Sequence, residues 1–414
     1  KLLERLEMLL DQLLPEDGAN VTRTGVALLT TLVREGVRDR SVRDLLRTSS
    51  QLLARKVIER VGESAEHYIT SSRAEYFQML RSAAGGGLLT TGTAMLKVLI
   101  TSLKLPLFQE GLLASVNYAG SFLAMQFAGF TLATKQSSVT AAKLAGSIKV
   151  LGGELDASPI VAEIARVTRS QLAAIAGNLG MVIPGALLAD FLVKSLTGHS
   201  YLNAEQAEYV LHSLDPFHTL TVFYAALTGV VLWSSSLAAG WLENWSAYRR
   251  IPEALASHRG IVKRLGGTRA ARLSRWFAHN VSGLGGNVSI GLLLGMLPVF
   301  GKFLGLPIDV RHVTLSTGQM ALAAGHLGRA ELTSPEMLVA AFGILLIALC
   351  NFGVSFALAL GVAMRARGVL LGETAGLVEA LAIELVRNPR AFLLPPRKDE
   401  EASARPSGGA ESTG

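Results

Sequence analysis

Long apolar runs alternate along the chain with shorter segments that are rich in Lys, Arg, Asp and Glu. Four runs carry no charge and two weaker ones carry one lysine each; they occupy residues 111–134, 171–189, 217–242, 337–364, 84–103 and 281–306. A helix needs about 20 apolar residues to cross the hydrocarbon core of a bilayer. The pattern therefore predicts about six membrane-spanning helices.

Composition agrees with this interpretation. The 414 residues are 50% hydrophobic and 17% charged, with a mean hydropathy of +0.39, whereas soluble domains carry about 25% charged residues. We expect an all-α fold: a polytopic membrane helical bundle of about six spans plus one re-entrant or interfacial helix, preceded by an N-terminal soluble helical region.

Domain organisation follows from where the hydrophobic periodicity changes. Apolar residues recur every three or four positions before the first span, which is typical of amphipathic helices. We predict an N-terminal amphipathic helical region (1–83), truncated at its start because the chain begins inside a helix at Lys1. Gly85–Gly87 are expected to break that helix. The predicted transmembrane domain (84–365) is followed by a C-terminal amphipathic helix (366–396) and a disordered tail (397–414).

Basic residues are distributed unevenly among the connections. They cluster between spans two and three and between spans four and five, while residues 105–116 and 195–216 contain neither Lys nor Arg. Because basic connections stay on the cytoplasmic side, both termini are predicted to be cytoplasmic.

The most basic connection lies between spans four and five, where Leu273, Trp276 and Phe277 share a helical face. Its predicted lipid- or nucleic-acid-facing residues are Arg249, Arg250, Lys263, Arg264, Arg269, Arg272 and Arg275. A basic amphipathic helix beside membrane spans is typical of binding to anionic lipid. We expect anionic lipids of the bilayer's inner face as partners, with nucleic acid the less favoured alternative, and a protein partner for the N-terminal helices.

Residues 309–326, DVRHVTLSTGQMALAAGH, place polar groups between two strongly apolar runs. An ionisable group at membrane depth normally faces protein or a water-filled cavity, and the uncharged stretch here is short for a span. This pattern predicts a re-entrant or interfacial helix over 309–328. The helix would lie beside a fifth span that Gly residues and Pro298 are expected to interrupt. The candidate polar cavity comprises Asp309, Arg311, His312, Thr314, Ser316, Thr317 and Gln319, with Asn178 and Asn287 from Gly-Asn pairs in two spans of similar pattern. The alternative is that these groups only bond neighbouring helices.

Other chemistry is poorly supported. Cys350 is the only cysteine, which excludes an intramolecular disulfide and a cysteine-based metal cluster. The acidic and histidine residues at the predicted outer face have no familiar ligand spacing; they are Asp190, His199, His212, Asp215 and His218. We predict no catalytic residue, metal or cofactor.

Four stretches resemble a bacterial transmembrane family catalogued as site-specific recombinases: residues 62–87, 115–141, 232–245 and 286–319. The resemblance implies a bacterial inner-membrane location, and the family's name implies DNA strand exchange. A tyrosine recombinase needs a nucleophilic tyrosine downstream of an HxxR motif, but HLGR (326–329) follows the last tyrosine, Tyr248. RTSS (47–50) lacks the surroundings of a serine recombinase, and no helix-turn-helix is recognisable.

The favoured function is therefore a multi-pass inner-membrane protein that binds or moves a small solute or lipid through a polar cavity. One alternative is a site-specific DNA recombinase or a membrane-tethered DNA-binding factor. The other is a membrane scaffold whose N-terminal helices dock a partner.

Overall fold

The computed structural model describes residues 70, 72–133, 150–151, 154–155, 157–366 and 375–395, together with Val26 and Thr30. In this part of the chain the only strands form a two-residue antiparallel ladder, Val150–Leu151 with Glu154–Leu155. The prediction of an all-α fold is confirmed. The predicted helices before residue 70 and the tail at 397–414 lie outside the described residues, and the predicted domain boundaries remain predictions.

The described part of the chain is mostly helical. In chain order the helices are α1 (Arg73–Ser102), α2 (Leu107–Phe127), α3 (Ala157–Thr197), α4 (Ala204–Ser213), α5 (Thr221–Tyr248), α6 (Ile251–Ser257), α7 (Arg259–Leu265), α8 (Gly267–Leu304), α9 (Val313–Leu327), a 3-10 turn (Arg329–Thr333), α10 (Pro335–Ala366), α11 (Ala375–Arg387) and α12 (Pro389–Leu393).

Five helical segments are long and apolar enough to cross a membrane: Arg73–Ser102, Ile160–Thr197, Thr221–Tyr248, Gly267–Leu304 and Pro335–Val362. Helix α2, the second predicted span, is not among them. Only 33–44% of the most apolar window of each segment is buried inside the protein. The remaining faces expose large side chains such as Phe191 and Phe303. Soluble monomers rarely expose such extensive apolar surface, so the fold is that of a membrane helical bundle with about six spans.

Two predicted helix breaks are wrong. Helix α1 continues through Gly85–Gly87, and α8 continues through Pro298. These glycines mark close crossings instead: a Cβ at Gly87 would overlap the carbonyl oxygen of Asn178, and one at Gly291 would lie 2.5 Å from the amide nitrogen of Ala119. Small residues let helix backbones approach in this way, and proline is tolerated in spans where neighbours stabilise the freed backbone.

The long helices pair out of sequence order. Helix α1 packs on α3, α2 on α8, and α5 on α10. Gly177 faces Leu80 and Gly185 faces Thr91, which shows that α1 and α3 run parallel.

Helix α9 lies inside the bundle. At the end of α8, Gly305 adopts a left-handed backbone (φ 66°) and the amide of Leu306 donates to the carbonyl of Gly301 at 2.9 Å, which reverses the chain. Helix α9 then packs among α1, α3, α4 and α10. Its 15 residues extend about 22 Å, less than the roughly 30 Å of hydrocarbon that a span must cross.

Candidate functional site

Asp309 and Arg311 form an ion pair just before α9. The Arg311 guanidinium donates to Oδ2 of Asp309 at 2.5 Å, and it also donates to the carbonyls of Val310 and Ser213. It lies over the ring of Tyr224, 5.4 Å from the centroid. The Arg311 side chain is only 15% exposed, so these contacts compensate a largely buried charge.

Asn351, in the middle of α10, fixes the start of α9. Its amide nitrogen donates to the carbonyls of Ala225 and Arg311 at 3.0 and 2.9 Å, and its oxygen accepts from the amide of Val313 at 3.1 Å. The side chain is fully buried. One amide therefore joins α10, α5 and the first turn of α9.

Asn178 performs the same role on the side of α3. Its amide nitrogen donates to the carbonyls of Ala83, Thr131 and Ala174, at 2.9–3.1 Å. Its oxygen accepts from the hydroxyl of Thr314 at 3.3 Å and the amide of Ala133 at 3.4 Å. Such a saturated side chain is structural.

Asn287 does not join this cluster. It is buried in the α2–α8 interface, where its amide donates to Oε1 of Gln126, and Gln126 in turn donates to Asn280. Thr317 bonds the carbonyl of Val313 in its own helix. The structure thus brings together Asn178 and Thr314, but assigns Asn287 to a separate contact.

His312, the residue that precedes α9, is different. It is 2% exposed, and neither ring nitrogen has a hydrogen-bond partner among the described residues. The backbone of Ala133 lies within interaction distance of the imidazole, and the ring of Phe122 lies 6.5 Å away between centroids. A buried polar group left without a partner costs about 1–3 kcal/mol, which makes His312 the exception in this otherwise well-bonded region.

Three more polar residues share its face of α9. Ser316, Gln319 and His326 follow His312 at spacings of four, three and seven residues, which places all four on one side of a helix. In the described part of the chain, the side chains of Ser316 and Gln319 make no hydrogen bond, and Nδ1 of His326 is buried without a partner. We call His312, Ser316, Gln319 and His326 the polar stripe.

The roughly opposite face of α9 is made of small residues that pack on α3. Thr314 meets Asn178, Gly318 lies against Val182, and Gly325 lies against the carboxyl group of Asp190. Helices α9 and α3 therefore run parallel. The polar stripe faces away from this contact.

Three buried or bonded polar residues are not among those predicted from the sequence. Tyr224 and Thr228 sit one turn apart on α5, and Oγ1 of Thr228 accepts from the amide of Arg311 at 2.7 Å. Gln171 is 1% exposed and its side-chain amide has no partner among the described residues. The sequence could have identified Gln171, because it precedes Asn178 by seven residues and so lies on the same helical face.

The polar residues at the predicted outer face are dispersed. Oδ1 of Asp190 accepts from the amide of Tyr201, while Asp215 pairs with His218 at 2.8 Å. The hydrogen bond from His218 lowers the pKa of Asp215. No group of three or more His, Cys, Asp or Glu residues in the described ranges could hold a metal ion.

The predicted basic loop is helical along most of its length. Arg250 adopts a left-handed backbone that turns the chain from α5 into α6, and the hydroxyl of Ser274 ties α6 to α8 at 2.5 Å from the carbonyl of Pro252. Its seven predicted residues are all exposed; they are Arg249, Arg250, Lys263, Arg264, Arg269, Arg272 and Arg275.

The residues that match recombinase motifs are far apart. Thr228, beside Arg311, precedes Tyr248 by 20 residues of continuous helix, or about 30 Å. Helix α9 begins with Val313 beside Asn351, in the middle of α10, and ends at the 3-10 turn that leads to the start of α10. Its last turn, which carries His326, therefore lies farther from Tyr248 than its first turn does. Tyr248 and His326 cannot share an active site in this fold.

The family model described as site-specific recombinase matches residues 1–395 of the chain. No curated protein and no solved structure is similar enough to the chain to count as a match.

Proposed function

We propose that this chain, which belongs to the site-specific recombinase family, is a bacterial inner-membrane protein that binds a small polar solute at the buried end of the polar stripe and moves it through the bundle. The observation that carries this proposal is His312, which is buried without a hydrogen-bond partner among the described residues. A solute or water molecule would supply the missing bonds.

The chemistry of the stripe favours a solute that carries hydrogen-bond acceptors. The imidazole of His312, the hydroxyl of Ser316 and the amide of Gln319 can all donate. His312 also lies at the N-terminus of α9, where the helix dipole favours negative charge. The nearest carboxylate in the sequence, Asp309, is already held by Arg311.

Broken or short helices that begin inside a bundle are the usual location of solute sites in membrane transporters. Helix α9 has this form: it is shorter than a span and its first turn lies beside the middle of α10. With both termini cytoplasmic, the stripe leads from the outer side, at His326, to His312.

DNA strand exchange finds less support. The family's description names it, but Tyr248 and His326 lie at different ends of the described bundle, and no cluster of catalytic side chains joins them. A scaffold role requires the helices before residue 70, which lie outside the described residues.

Cysteine labelling tests whether the stripe is reached by water. Cys350 is the chain's only cysteine, so Cys350→Ala gives a background without thiols. Ser316→Cys and Gln319→Cys are then treated in proteoliposomes with a small, positively charged methanethiosulfonate reagent. We expect Gln319→Cys to react fastest, because Gln319 is half-buried, and Ser316→Cys to react more slowly but measurably.

Ala321→Cys is the matched control, since Ala321 belongs to the same helix, is 2% exposed and lies on the face toward α3. It should stay unmodified. If Ser316→Cys and Gln319→Cys react no faster than Ala321→Cys, the stripe is not a solute path and the proposal fails.

A further inference from the structure

One end of the bundle combines exposed aromatic and basic side chains. Trp241 and Trp245 stack at 6.2 Å near the end of α5, and Trp276 of α8 stacks on Phe127 of α2 at 5.9 Å. All four are more than 40% exposed. Large aromatic rings that remain exposed at one level of several helices are typical of a membrane–water interface.

Positive charge is concentrated at the same level. Residues 249–275 contain eight Lys or Arg and a single acidic residue, Glu253, while the whole chain has a formal net charge of +7. Arg272 and Arg275 lie within one turn of Trp276, and Arg249 follows directly on α5. No ion pair among the described residues neutralises these three arginines, and all are exposed.

Helices α6 and α7 lie along the edge of this region. Neither has a buried residue, and the contact between Ser274 and Pro252 holds α6 against α8. Their exposed residues, which include Lys263 and Arg264, therefore continue the basic surface sideways from the end of the bundle. We call the exposed residues Arg249, Arg250, Lys263, Arg264, Arg269, Arg272, Arg275, Trp241, Trp245 and Trp276 the aromatic–basic surface.

We infer that the aromatic–basic surface binds the phosphate headgroups of anionic phospholipids. Nucleic acid is also polyanionic and could be attracted by the same basic residues. Two features favour an anionic bilayer instead. The basic residues adjoin exposed tryptophans, and two helices that carry the aromatic rings continue into apolar faces, with Val288 and Leu292 exposed on α8 and Val116 exposed on α2. A lipid molecule meets both features at once, with its headgroup on the arginines and its chains along the apolar faces.

Tryptophan fluorescence can measure this selectivity directly. Three of the chain's four tryptophans belong to the surface, and Trp233→Phe removes the fourth. The protein is reconstituted in mixtures of dioleoyl phosphatidylcholine and dioleoyl phosphatidylglycerol in which one lipid or the other carries bromine, a quencher, on its chains. We expect brominated phosphatidylglycerol to quench more strongly than the same fraction of brominated phosphatidylcholine, with a selectivity above about twofold.

A pair of triple variants locates the site. Arg249→Gln/Arg272→Gln/Arg275→Gln should bring the selectivity to one. Lys104→Gln/Lys194→Gln/Lys302→Gln removes the same charge from exposed positions at the other ends of the helices and should leave the selectivity unchanged.

Three results would overturn the inference: equal quenching by both lipids in the parent protein, unchanged selectivity in the arginine variant, or equal losses in the two variants. Binding of labelled duplex DNA to the same proteoliposomes tests nucleic acid as the alternative ligand. Tight DNA binding with a steep salt dependence, in a protein without lipid selectivity, would assign the surface to nucleic acid. None of these readouts depends on solute binding at His312, so the two proposals can fail separately.

Discussion

The two faces of helix α9 have similar polarity but opposite hydrogen-bonding states. Toward α3 and α10, Thr314 and the amide of Val313 are bonded to Asn178 and Asn351, two buried amides whose own donors and acceptors are used. On the polar stripe, His312 is as buried as these residues and has no partner among the described residues. The presence of polar groups in an apolar region therefore does not identify a binding site. Buried polar groups that lack hydrogen-bond partners do point to one.

The largest effect is expected from Asn178→Ala. The change removes five hydrogen bonds and leaves the amide of Ala133 and the carbonyls of Ala83 and Thr131 without the partner they have now. Individual bonds between membrane helices average about 0.6 kcal/mol and unsatisfied buried groups cost more, so we expect a loss of about 2–4 kcal/mol. Steric trapping in bicelles measures the free energy of unfolding. A loss below about 0.5 kcal/mol would remove Asn178 from the bonded face.

The next effect concerns the close crossing that brings α1 to Asn178. Gly87→Ala places a methyl group on the backbone of Asn178, and overpacking of this kind costs about 1–3 kcal/mol. Gly92→Ala, in the same helix, meets nothing within 4 Å and should be neutral or stabilise the helix by up to about 1 kcal/mol. The same unfolding assay compares them. Equal losses would mean that the α1–α3 crossing is looser than the structure shows.

A smaller effect is expected for the ion pair before α9. In Asp309→Asn, Arg311 keeps the carbonyls of Val310 and Ser213 and the ring of Tyr224. Because the Asp309 side chain is 33% exposed, solvent screens the pair and we expect a coupling energy of about 1 kcal/mol. A double-mutant cycle with Arg311→Gln gives that energy. A coupling of several kcal/mol would show that the pair, rather than Asn351, holds the start of α9.

The smallest effect is expected from Ser316→Ala. Its hydroxyl bonds no described residue, so its removal should change the free energy of unfolding by less than about 0.5 kcal/mol. Thr317→Val is the comparison, since it removes the bond from the Thr317 hydroxyl to Val313 at 2.8 Å. If Ser316→Ala destabilises the protein more than Thr317→Val does, the stripe is bonded and the contrast between the faces disappears.

Much of the fold was predictable from the sequence because hydrophobicity reports the cost of exposing a segment to water or lipid. The apolar runs located the six long helices, and the shortness and polarity of residues 309–328 located α9. The breaks expected at Gly85–Gly87 and Pro298 did not occur, because glycine in a membrane helix serves close packing as readily as it ends a helix.

The site was only partly predictable. The sequence placed His312 beside Asn178 and Thr314 in one candidate set, but it could not show which of them are bonded. That distinction depends on partners 136 residues away for Thr314 and 38 residues away for Val313. Pairing of α1 with α3 and of α2 with α8 decides these contacts, and no local pattern specifies which helix faces meet. The same limit concealed Tyr224 and Thr228, whose importance comes only from the position of Arg311.

The most direct measurement compares the stability of His312→Leu with that of Asn351→Leu in the same bilayer. Leucine fills most of the space of either side chain and has no hydrogen-bonding group. We predict that His312→Leu unfolds with a free energy equal to or above that of the parent protein, since it removes a buried group that lacks a partner. Asn351→Leu should lose about 2–4 kcal/mol, because three backbone groups lose their partner. If the two variants are destabilised equally, His312 is a structural residue and the polar stripe is not a site.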